Sequence, residues 1–383
     1  MKPAILDLLN CPTCQSEFQL DVHAEEHVQL TAAEIASLER MHKDTAPYEV
    51  EIIQGSLTCP ECKLRFPICN GIPRIYKDAT SQHSEANGQT FKTEAMLVNK
   101  DERHVQKTFS REWEDHDYDE NTIWLWTVDE RIDTFCEELA IDSVDELRGK
   151  LMIDAGCGSG VLAMTLSERY QVEILAIDMS TVIDRAHGRN RSNLCHFVQT
   201  SVLNLPLRHS IADVTYSHGV LHHTYSTRKA FESISKLTKE NGVLYVWLYG
   251  KKAGWNRVRF LFHRSARFVI ARLPRIPQKL GVTCMGYLHL SLRQLKRICG
   301  FKVIEVKSRS HFWTGIWDKY TPKYAREHRA DEVLKWFEQE EYRNAVRRID
   351  FPKTEWWKDS ENLSIRGFRG LRDNRDKVSN ITV

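Results

Sequence analysis

The sequence has almost no excess of charge. Its 54 lysines and arginines nearly balance 52 aspartates and glutamates, which leaves a net charge of +2 over 383 residues. Such a chain lacks the overall attraction that draws basic proteins to nucleic acids or acidic membranes. Any binding of that kind must therefore come from a local patch.

Long apolar runs are also missing. No window approaches the roughly 20 consecutive apolar residues of a membrane-spanning helix, and the start, MKPAILDLLN, has neither the apolar length nor the small-residue cleavage site of a secretory signal. The ten cysteines include two CxxC pairs, which suits a metal site in a reducing compartment better than a disulfide framework. We therefore expect a cytoplasmic protein without a transmembrane segment.

Hydrophobic patterning predicts three parts. We expect a small domain over 1–78, a linker and helical entry segment over 79–148, and a larger domain over 149–383 with an insertion at about 251–330. In the third part five strand-length apolar runs alternate with helical stretches, as in a doubly wound α/β layer with a parallel sheet. The runs are KLMIDAG, VEILAID, HFVQT, ADVTYSHG and VLYVWLY. RNAVRRID and NLSIRGFRG are predicted to add the last two strands, with FKVIEVKS at 301–308 as a competing assignment.

A glycine-rich turn follows the first of these strands. In IDAGCGSGVLAMTL the strand ends at Asp154 and a GxGxG spacing follows. A dinucleotide fingerprint would need its third glycine at position 161, which is Val161, so a nicotinamide or flavin enzyme is disfavoured. The next strand ends at Asp178, whose carboxylate is placed to accept hydrogen bonds from ribose hydroxyls. The alternative is an α/β sheet that binds no cofactor.

Three further motifs follow along the chain: HFVQTSVLNLPL, DVTYSHGVLHHT and LTKENGVLYVWLY. Taken in order, the motifs resemble those of the class I S-adenosylmethionine-dependent methyltransferases, and the resemblance covers about 91–370. The resemblance implies a Rossmann-like, seven-stranded sheet, S-adenosylmethionine as cofactor and methyl transfer as activity. It implies that Asp154 faces the methionine end of the cofactor, that Asp178 holds the ribose and that Met179 lies against the adenine. Ser201 stands where many relatives have an aspartate that accepts from the adenine amino group. The cofactor-binding candidates are Asp154, Gly156, Cys157, Gly158, Gly160, Asp178, Met179, Ser201, Val202 and His218.

Histidines after the fourth strand are candidates for chemistry. A histidine with a pKa near neutrality can take a proton from a substrate hydroxyl or amine as the methyl group moves. We expect this role of His222 or His223, and one of the two must turn away from the cleft. His218 is expected to form part of the wall. The alternative is that no histidine acts, since positioning alone accelerates an in-line displacement.

Two further segments are expected to approach the site. FSREWEDHDYDENTIWLW resembles the aromatic entry segment of related methyltransferases, with Trp113 and Tyr118 as candidates; alternatively these aromatics only pack the segment onto the sheet. HFWTGIWDKYTPKY resembles the DWYxP-like segment of bacterial methyltransferases related to small-molecule and glycan modification. Asp318, Tyr320 and Pro322 carry that likeness and are expected to line an acceptor pocket.

A basic amphipathic helix is predicted near 257–279. Its apolar residues can share one face, and arginines and lysines fill the remainder. The apolar face comprises Val258, Leu261, Phe262, Ser265, Phe268 and Val269. Such a helix can make a peripheral contact with a membrane surface or meet an acidic substrate. The alternative is a solvated charged face over a lid.

Four cysteines form the two CxxC pairs: Cys11, Cys14, Cys59 and Cys62. Four thiolates in two such pairs fit a tetrahedral structural zinc with no open position for chemistry, whereas unpaired buried thiols are the alternative. LNCPTC and TCPECKLRFPICNGIPRI resemble the Trm112-like zinc-binding domain, with Phe66 in place of its tyrosine and Cys69 at a variable position. Standalone members of that family activate methyltransferases of tRNA, rRNA and a translation factor, so the resemblance implies an activator fused to its catalytic partner.

The expected function is S-adenosylmethionine-dependent methyl transfer to a small-molecule or glycan-type acceptor, at oxygen or nitrogen. One alternative is an RNA methyltransferase acting on rRNA or tRNA, which the zinc domain and the arginine-rich helix support. Another is a non-catalytic cofactor-binding scaffold or activator. The sequence leaves the acceptor and the oligomeric state open.

Overall fold

The computed structural model describes residues 1–75, 100–115, 122–123, 126–251, 254–301, 309–347 and 362–370. Tyr118, most of the predicted linker and the FKVIEVKS segment after Phe301 lie outside these residues. None of the described helices is long and apolar enough to cross a membrane.

Helices and strands alternate along most of the chain. The helices are α1 (Ala32–Arg40), α2 (Lys100–Asp115), α3 (Val128–Leu139), α4 (Val161–Tyr170), α5 (Val182–Arg189), α6 (Thr227–Ser235), α7 (Gly254–Ile270), α8 (Arg275–Ile298), α9 (Arg309–Tyr320) and α10 (Ala330–Gln339). The strands are β1 (Gln19–His27), β2 (Val50–Thr58), β3 (Arg65–Cys69), β4 (Ile72–Pro73), β5 (Thr122–Ile123), β6 (Trp126–Thr127), β7 (Leu151–Ala155), β8 (Glu173–Asp178), β9 (Cys195–Gln199), β10 (Ala212–His218), β11 (Thr238–Leu248), β12 (Tyr342–Arg347) and β13 (Leu363–Arg369).

A seven-stranded sheet forms the centre of the larger unit, in the order β12-β13-β11-β10-β7-β8-β9. The five strands from β7 to β11 pair in parallel, and β13 is antiparallel to both β11 and β12. All seven predicted strands are confirmed. Every residue of β7 and β9 is buried, because helices cover both faces of a parallel sheet and continuous apolar runs are then favoured.

The strand order reverses at β7. From there the chain moves through β8 to β9 on one side and later through β10 to β11 on the other. Crossover helices leave a crevice between the carboxyl ends of strands at such a switch point, and ligands of open α/β sheets bind there. The topology therefore places a binding cleft above β7, where the glycine turn begins.

The N-terminal unit is a separate four-stranded sheet, β1-β2-β3-β4. The segment TAAEIASLERMHKD, in which Ile35, Leu38 and Met41 have helical spacing, contains α1, which begins with a capping box between Thr31 and Glu34. The segment YEVEIIQGSLTC contains β2. Its neighbour β1 was not predicted, although Leu20, Val22 and Ala24 alternate with polar residues as in a strand; nearly all of its side chains are exposed.

The N-terminal unit covers the edge of the large sheet at β9. Its buried residues Ile5 and Leu9 share one apolar core with Val198 and Leu207. The main chains also join, since the Asn10 N–H donates to Pro206 O at 2.8 Å. An uncovered edge strand offers unpaired backbone groups to other chains, so the contact protects β9 and fixes the two units together.

A buried carboxylate lies in this interface. Tyr48 from the N-terminal unit donates to Glu173 Oε1 at 2.6 Å, Lys43 pairs with the same carboxylate, and His196 Nε2 lies 3.5 Å from Oε1. Burial alone would raise the pKa of Glu173, but His196 and Lys43 outweigh it and lower that pKa to about 2. The ionised form is therefore stabilised by side chains from both units.

We expect Glu173→Gln to weaken folding in a pH-dependent way. The folded pKa lies below the unfolded one, so the carboxylate stabilises the folded state above about pH 5, and this contribution is lost as the pH falls toward 2. At pH 7 the substitution should lower the free energy of unfolding by about 3 kcal/mol, as measured by urea unfolding. At pH 3 the difference in the free energy of unfolding between the variant and the native protein should be clearly smaller. Glu25→Gln, at an exposed position of β1, is the control; an equal loss at both pH values would contradict the expectation.

Candidate functional site

A cavity of 340 Å³ opens above the carboxyl ends of β7, β8, β10 and β11. The helix α2 closes it with Glu102, Phe109, Glu112 and Trp113, and α9 contributes Asp318. The sheet therefore supplies one wall, and two helices distant from each other in sequence supply the others. A cavity of this volume is at the small end of the range for ligand pockets.

The glycine turn forms the floor of the cavity. Gly156 has φ +94°, and a Cβ there would lie 2.3 Å from Val220 Cγ2. Gly158 has φ +55°, and its Cβ would lie 2.7 Å from the indole ring of Trp113. Both positions require glycine, because the backbone is left-handed and neighbouring side chains fill the space a Cβ would need.

Asp178, at the end of β8, holds this turn in place. Its Oδ2 accepts from the Gly158 N–H at 2.9 Å, and its Oδ1 accepts from the backbone N–H and the hydroxyl of Ser180, at 2.7 and 2.6 Å. Burial raises the pKa of Asp178, and these donors act against that shift. A carboxylate has about four acceptor positions, so the same side chain can still accept from a ligand in the cavity.

Asp154 lies at the end of β7 and lines the cavity. Burial raises its pKa to about 7, although the nearby charge of Arg131 acts in the opposite direction. Arg131 itself donates to Glu138 at 3.0 Å, and Tyr216 donates to the same glutamate at 2.7 Å. A cation bound in the cavity beside Asp154 would lower that pKa again and stabilise the ionised carboxylate.

Nine of the ten cofactor-binding candidates line the cavity. They are Asp154, Gly156, Cys157, Gly158, Asp178, Met179, Ser201, Val202 and His218. Gly160 is the exception: it precedes α4, with φ +71°, and a Cβ there would lie 3.1 Å from Ala186 and Phe197. Trp113 lines the cavity, as expected. The ring of His218 stacks on Trp247 with their centroids 5.0 Å apart, consistent with a wall position.

Glu102 was missed by the sequence analysis. Its Oε1 accepts from the Ser201 hydroxyl at 2.6 Å, and both side chains are buried. A carboxylate from α2 thus lies next to Ser201, the position at which many methyltransferases of the resembled family have an aspartate. No sequence signal could have revealed this pairing, since 99 residues separate the two positions and Glu102 belongs to no motif.

The adjacent histidines have different surroundings. His223 lines the cavity, and its Nδ1 lies 2.8 Å from Tyr324 O. Because a carbonyl can only accept, Nδ1 carries the hydrogen and Nε2 presents a lone pair. Burial lowers the pKa of His223, although nearby Asp318 opposes the shift. His222 is fully buried against Tyr249, with ring centroids 3.9 Å apart, and does not line the cavity.

Three side chains meet at the end of the cavity near α9. His223 Nε2 lies 3.7 Å from Asp318 Oδ1, and Tyr249 donates to Asp318 Oδ2 at 2.9 Å. Of the three residues that carried the DWYxP likeness, Asp318 alone lines the cavity. Tyr320 is buried between His263 and His289, with its hydroxyl at 2.6 and 2.9 Å from their ring nitrogens. Pro322 is also buried away from the cavity.

The four cysteines of the CxxC pairs converge in the N-terminal unit. The sulfur atoms of Cys11, Cys14, Cys59 and Cys62 all lie within 4.8 Å of one another, and the Cys14 and Cys59 sulfurs are 3.5 Å apart. Four thiolates at about 2.3 Å from one zinc ion would be about 3.8 Å apart, so the group could hold zinc. None of the four lines the cavity, and Cys69 is not part of the group.

Comparison with known families finds two matches. Residues 2–71 match the family described as Trm112p-like protein, and residues 153–246 match the family described as methyltransferase domain. The first range contains all four cysteines of the CxxC pairs. The second contains the glycine turn, Asp178 and the histidines.

Curated relatives align with parts of the chain. Phosphoethanolamine N-methyltransferase 2 of Caenorhabditis elegans is 24% identical over 169 residues, which are 43% of this chain and 38% of that protein. Ubiquinone biosynthesis O-methyltransferase of Glaesserella parasuis serovar 5 is 27% identical over 143 residues, 35% of this chain and 58% of that protein. The chain therefore spans only 38% and 58% of the length of these two relatives.

Solved structures give weaker matches. A SAM-dependent methyltransferase of Thermotoga maritima has a TM-score of 0.40 and 13% identity, covering 70% of this chain and all of that one. A complex of the Haloferax volcanii Trm112 methyltransferase activator has a TM-score of 0.37 and 12% identity, covering 64% and 96%. With TM-scores below 0.5, the fold assignment rests on the strand order described above.

We expect the turn beneath the cavity to tolerate no side chain. Gly156→Ala should lower the free energy of unfolding by about 2 kcal/mol or more, because it combines an unfavourable backbone conformation with a clash against Val220. Gly188→Ala is the matched control: this glycine lies in α5, and a Cβ added there would meet no atom within 4 Å, so alanine should be neutral or stabilise by up to about 1 kcal/mol. Urea unfolding of both variants checks this. Equal stability of the two would contradict it.

Proposed function

We propose that this chain, which carries an N-terminal Trm112p-like domain and a methyltransferase domain, transfers a methyl group from S-adenosylmethionine to a small-molecule or glycan-type acceptor. The observation that carries the proposal is the cavity at the strand-order switch point, whose floor is a glycine turn held by Asp178. S-adenosylmethionine, when bound, would supply a methyl group activated on a sulfonium. The chain would bind it and align the acceptor for in-line attack.

The cavity has groups suited to each part of this cofactor. Asp178 would accept from the ribose hydroxyls, and Asp154 would pair with the amino group at the methionine end. The Glu102 carboxylate, next to Ser201, would accept from the adenine amino group in place of the aspartate that many relatives have. The backbone of Gly156 and Gly158 lines the cavity, so the cofactor would pass next to this turn, while Val220 and Trp113 occupy the space where a Cβ would be.

His223 would act as the general base for the acceptor. His223 lines the cavity with its Nε2 3.7 Å from Asp318 Oδ1, and burial lowers its pKa, which favours the neutral ring. A hydroxyl or amine held against Nε2 could give up its proton as the new bond to carbon forms. Asp318 would stabilise the protonated ring, with Tyr249 holding its carboxylate in place by a hydrogen bond.

The charge of the cavity favours a small molecule over RNA. Five carboxyl groups line it, from Glu102, Glu112, Asp154, Asp178 and Asp318. Burial raises the pKa of Glu112 and raises that of Asp154 to about 7, so not all five carry a charge. Among the described residues, Arg131 is the only lysine or arginine that lines the cavity. Phosphodiesters are bound through lysines and arginines, so this cavity lacks the cations that would hold an RNA backbone. The curated relatives include both an N- and an O-methyltransferase by name, so the acceptor atom stays open between nitrogen and oxygen.

The N-terminal domain would brace the cofactor site. Arg74 donates to Gln199 Oε1 at 2.7 Å and pairs with Asp184 in α5. Gln199 in turn donates to Ser180 O at 3.2 Å, next to the Asp178 carboxylate. We propose domain boundaries at 1–78, 79–148 and 149–383, with Arg74 and Ile75 among the residues of the first domain that contact the second.

The direct test measures binding of S-adenosylmethionine and transfer of its methyl group. Calorimetry should show that S-adenosylmethionine binds and that Glu102→Gln weakens binding about 10- to 100-fold, the equivalent of a hydrogen bond to a charged group. Glu168→Gln, at an exposed site on α4, should have no effect. When S-adenosylmethionine with a labelled methyl group is added to cell extract fractions, the label should appear in small molecules or glycans. No binding would refute the cofactor assignment, and label in RNA alone would refute the acceptor class.

His223 can be tested without disturbing the cofactor. In His223→Asn the amide can still donate to Tyr324 O, but no base remains at the position of Nε2. We expect kcat to fall about 10²- to 10⁴-fold with an unchanged dissociation constant for the cofactor. In the native protein kcat/KM should rise with pH through the lowered histidine pKa and be level above about pH 7. A variant with full turnover would exclude His223 as the base.

We propose that the four cysteines bind one structural zinc ion. Reduced, purified protein should contain about one zinc per chain, and Cys14→Ser should lower both the zinc content and the unfolding temperature. Cys284→Ser changes an exposed cysteine on α8 and should alter neither. Native protein with well under one zinc per chain by elemental analysis would refute the zinc assignment.

A further inference from the structure

The helices α7 and α8 display large apolar side chains to solvent. On α8, Ile276 and Ile298 are 84% and 78% exposed, and Leu280 and Tyr287 are exposed between them. Their spacing of 4, 7 and 11 residues places all four on one face of the helix. On α7, four of the six residues predicted to share an apolar face are exposed: Leu261, Phe262, Phe268 and Val269. Monomeric proteins rarely expose apolar surface on this scale without a use for it.

This exposed face is not the face by which the helices are packed. A small core of their own, formed by Ile270, Val282, Ile316 and Tyr320, joins α7, α8 and α9. Gly286 lies so close to Trp313 of α9 that a Cβ would come within 2.2 Å of its ring. The helices are therefore firmly seated through one side. On the other side Tyr287 contacts Trp313 edge-on, with centroids 5.6 Å apart, and Arg272 lies over the ring of Phe268. Even with these contacts, Ile276, Leu280 and Ile298 remain more than half exposed.

The same segment carries a strong positive charge. Residues 241–304 contain thirteen lysines and arginines and no aspartate or glutamate, in a chain whose net charge is only +2. Arg264 on α7 and Lys279 and Lys296 on α8 are exposed. An apolar helix face flanked by cations is the pattern of helices that lie in the interface of a bilayer, where cations attract anionic headgroups.

We propose that the α7–α8 pair docks this protein on anionic lipid bilayers, with the apolar face among the headgroups. A second copy of the chain fits this surface poorly, because it would bring the two cationic segments together. RNA fits it poorly as well, because phosphate contacts would leave the aliphatic face in water. The docking does not depend on methyl transfer, although Asp318 lies on α9, which packs against both helices.

Vesicle flotation of the full chain tests the proposal. We expect binding to vesicles of mixed phosphatidylcholine and phosphatidylglycerol, little binding to phosphatidylcholine alone, and release by rising salt. Ile276→Ser combined with Ile298→Ser should weaken binding at least about tenfold. Lys279→Gln and Lys296→Gln should each weaken it about fivefold.

Matched controls are available elsewhere on the surface. Val22→Ser removes an exposed apolar side chain from β1, and Lys335→Gln removes an exposed cation from α10; both should bind like the native protein. Circular dichroism verifies that every variant is folded. Absence of binding to the anionic vesicles would overturn the proposal, as would equal binding by the Ile276→Ser, Ile298→Ser variant. Concentration-dependent dimers that this variant abolishes, without vesicle binding, would assign the face to a second copy instead.

Discussion

The Asp178 carboxylate is the contact on which the candidate site depends. It joins the end of β8 to the glycine turn through Gly158 and to the following loop through Ser180. The N–H groups of Gly156 and Cys157 also donate to Ile177 O, at 2.7 and 2.9 Å, so the side chain and the backbone at the end of β8 together fix the left-handed turn. Because a buried carboxylate is costly unless its oxygens receive hydrogen bonds, the turn and the acid stabilise each other before any ligand binds.

The N-terminal unit extends this arrangement to the edge of the sheet. Arg74 reaches Gln199, and Gln199 reaches the loop that carries Ser180. The interface is also apolar and shares a core with the large sheet. A small unit with a four-cysteine group thus has a physical means of holding the end of the sheet that lines the cavity, without placing any of those cysteines in the cavity.

Much of this fold could be predicted from local pattern. The parallel strands are buried on both faces, so their apolar runs are continuous and easily recognised, and the helix α1 has its capping box in the sequence. The exposed strand β1 has no continuous apolar run, and its alternation of Leu20, Val22 and Ala24 with polar residues was missed. In the site, most of the predicted residues lie next to strand ends. Tyr249 directly follows β11 and lines the cavity too, although it was not among the candidates. Glu102 was not predicted either, because it reaches the cavity from α2 through a contact with Ser201 that no spacing along the chain encodes.

The sequence by itself determined the two domains, the order of the strands along the chain and the residues at their carboxyl ends, because glycine turns and paired cysteines have strict local requirements. Only the tertiary structure decided which histidine faces the cavity and that an acid from α2 meets Ser201. It also decided that Leu261, Phe262, Phe268 and Val269 of α7 are exposed to solvent, although apolar residues on one helix face usually pack toward the core of a protein. Those outcomes depend on how distant elements pack, and packing is set by the whole chain rather than by neighbours in sequence.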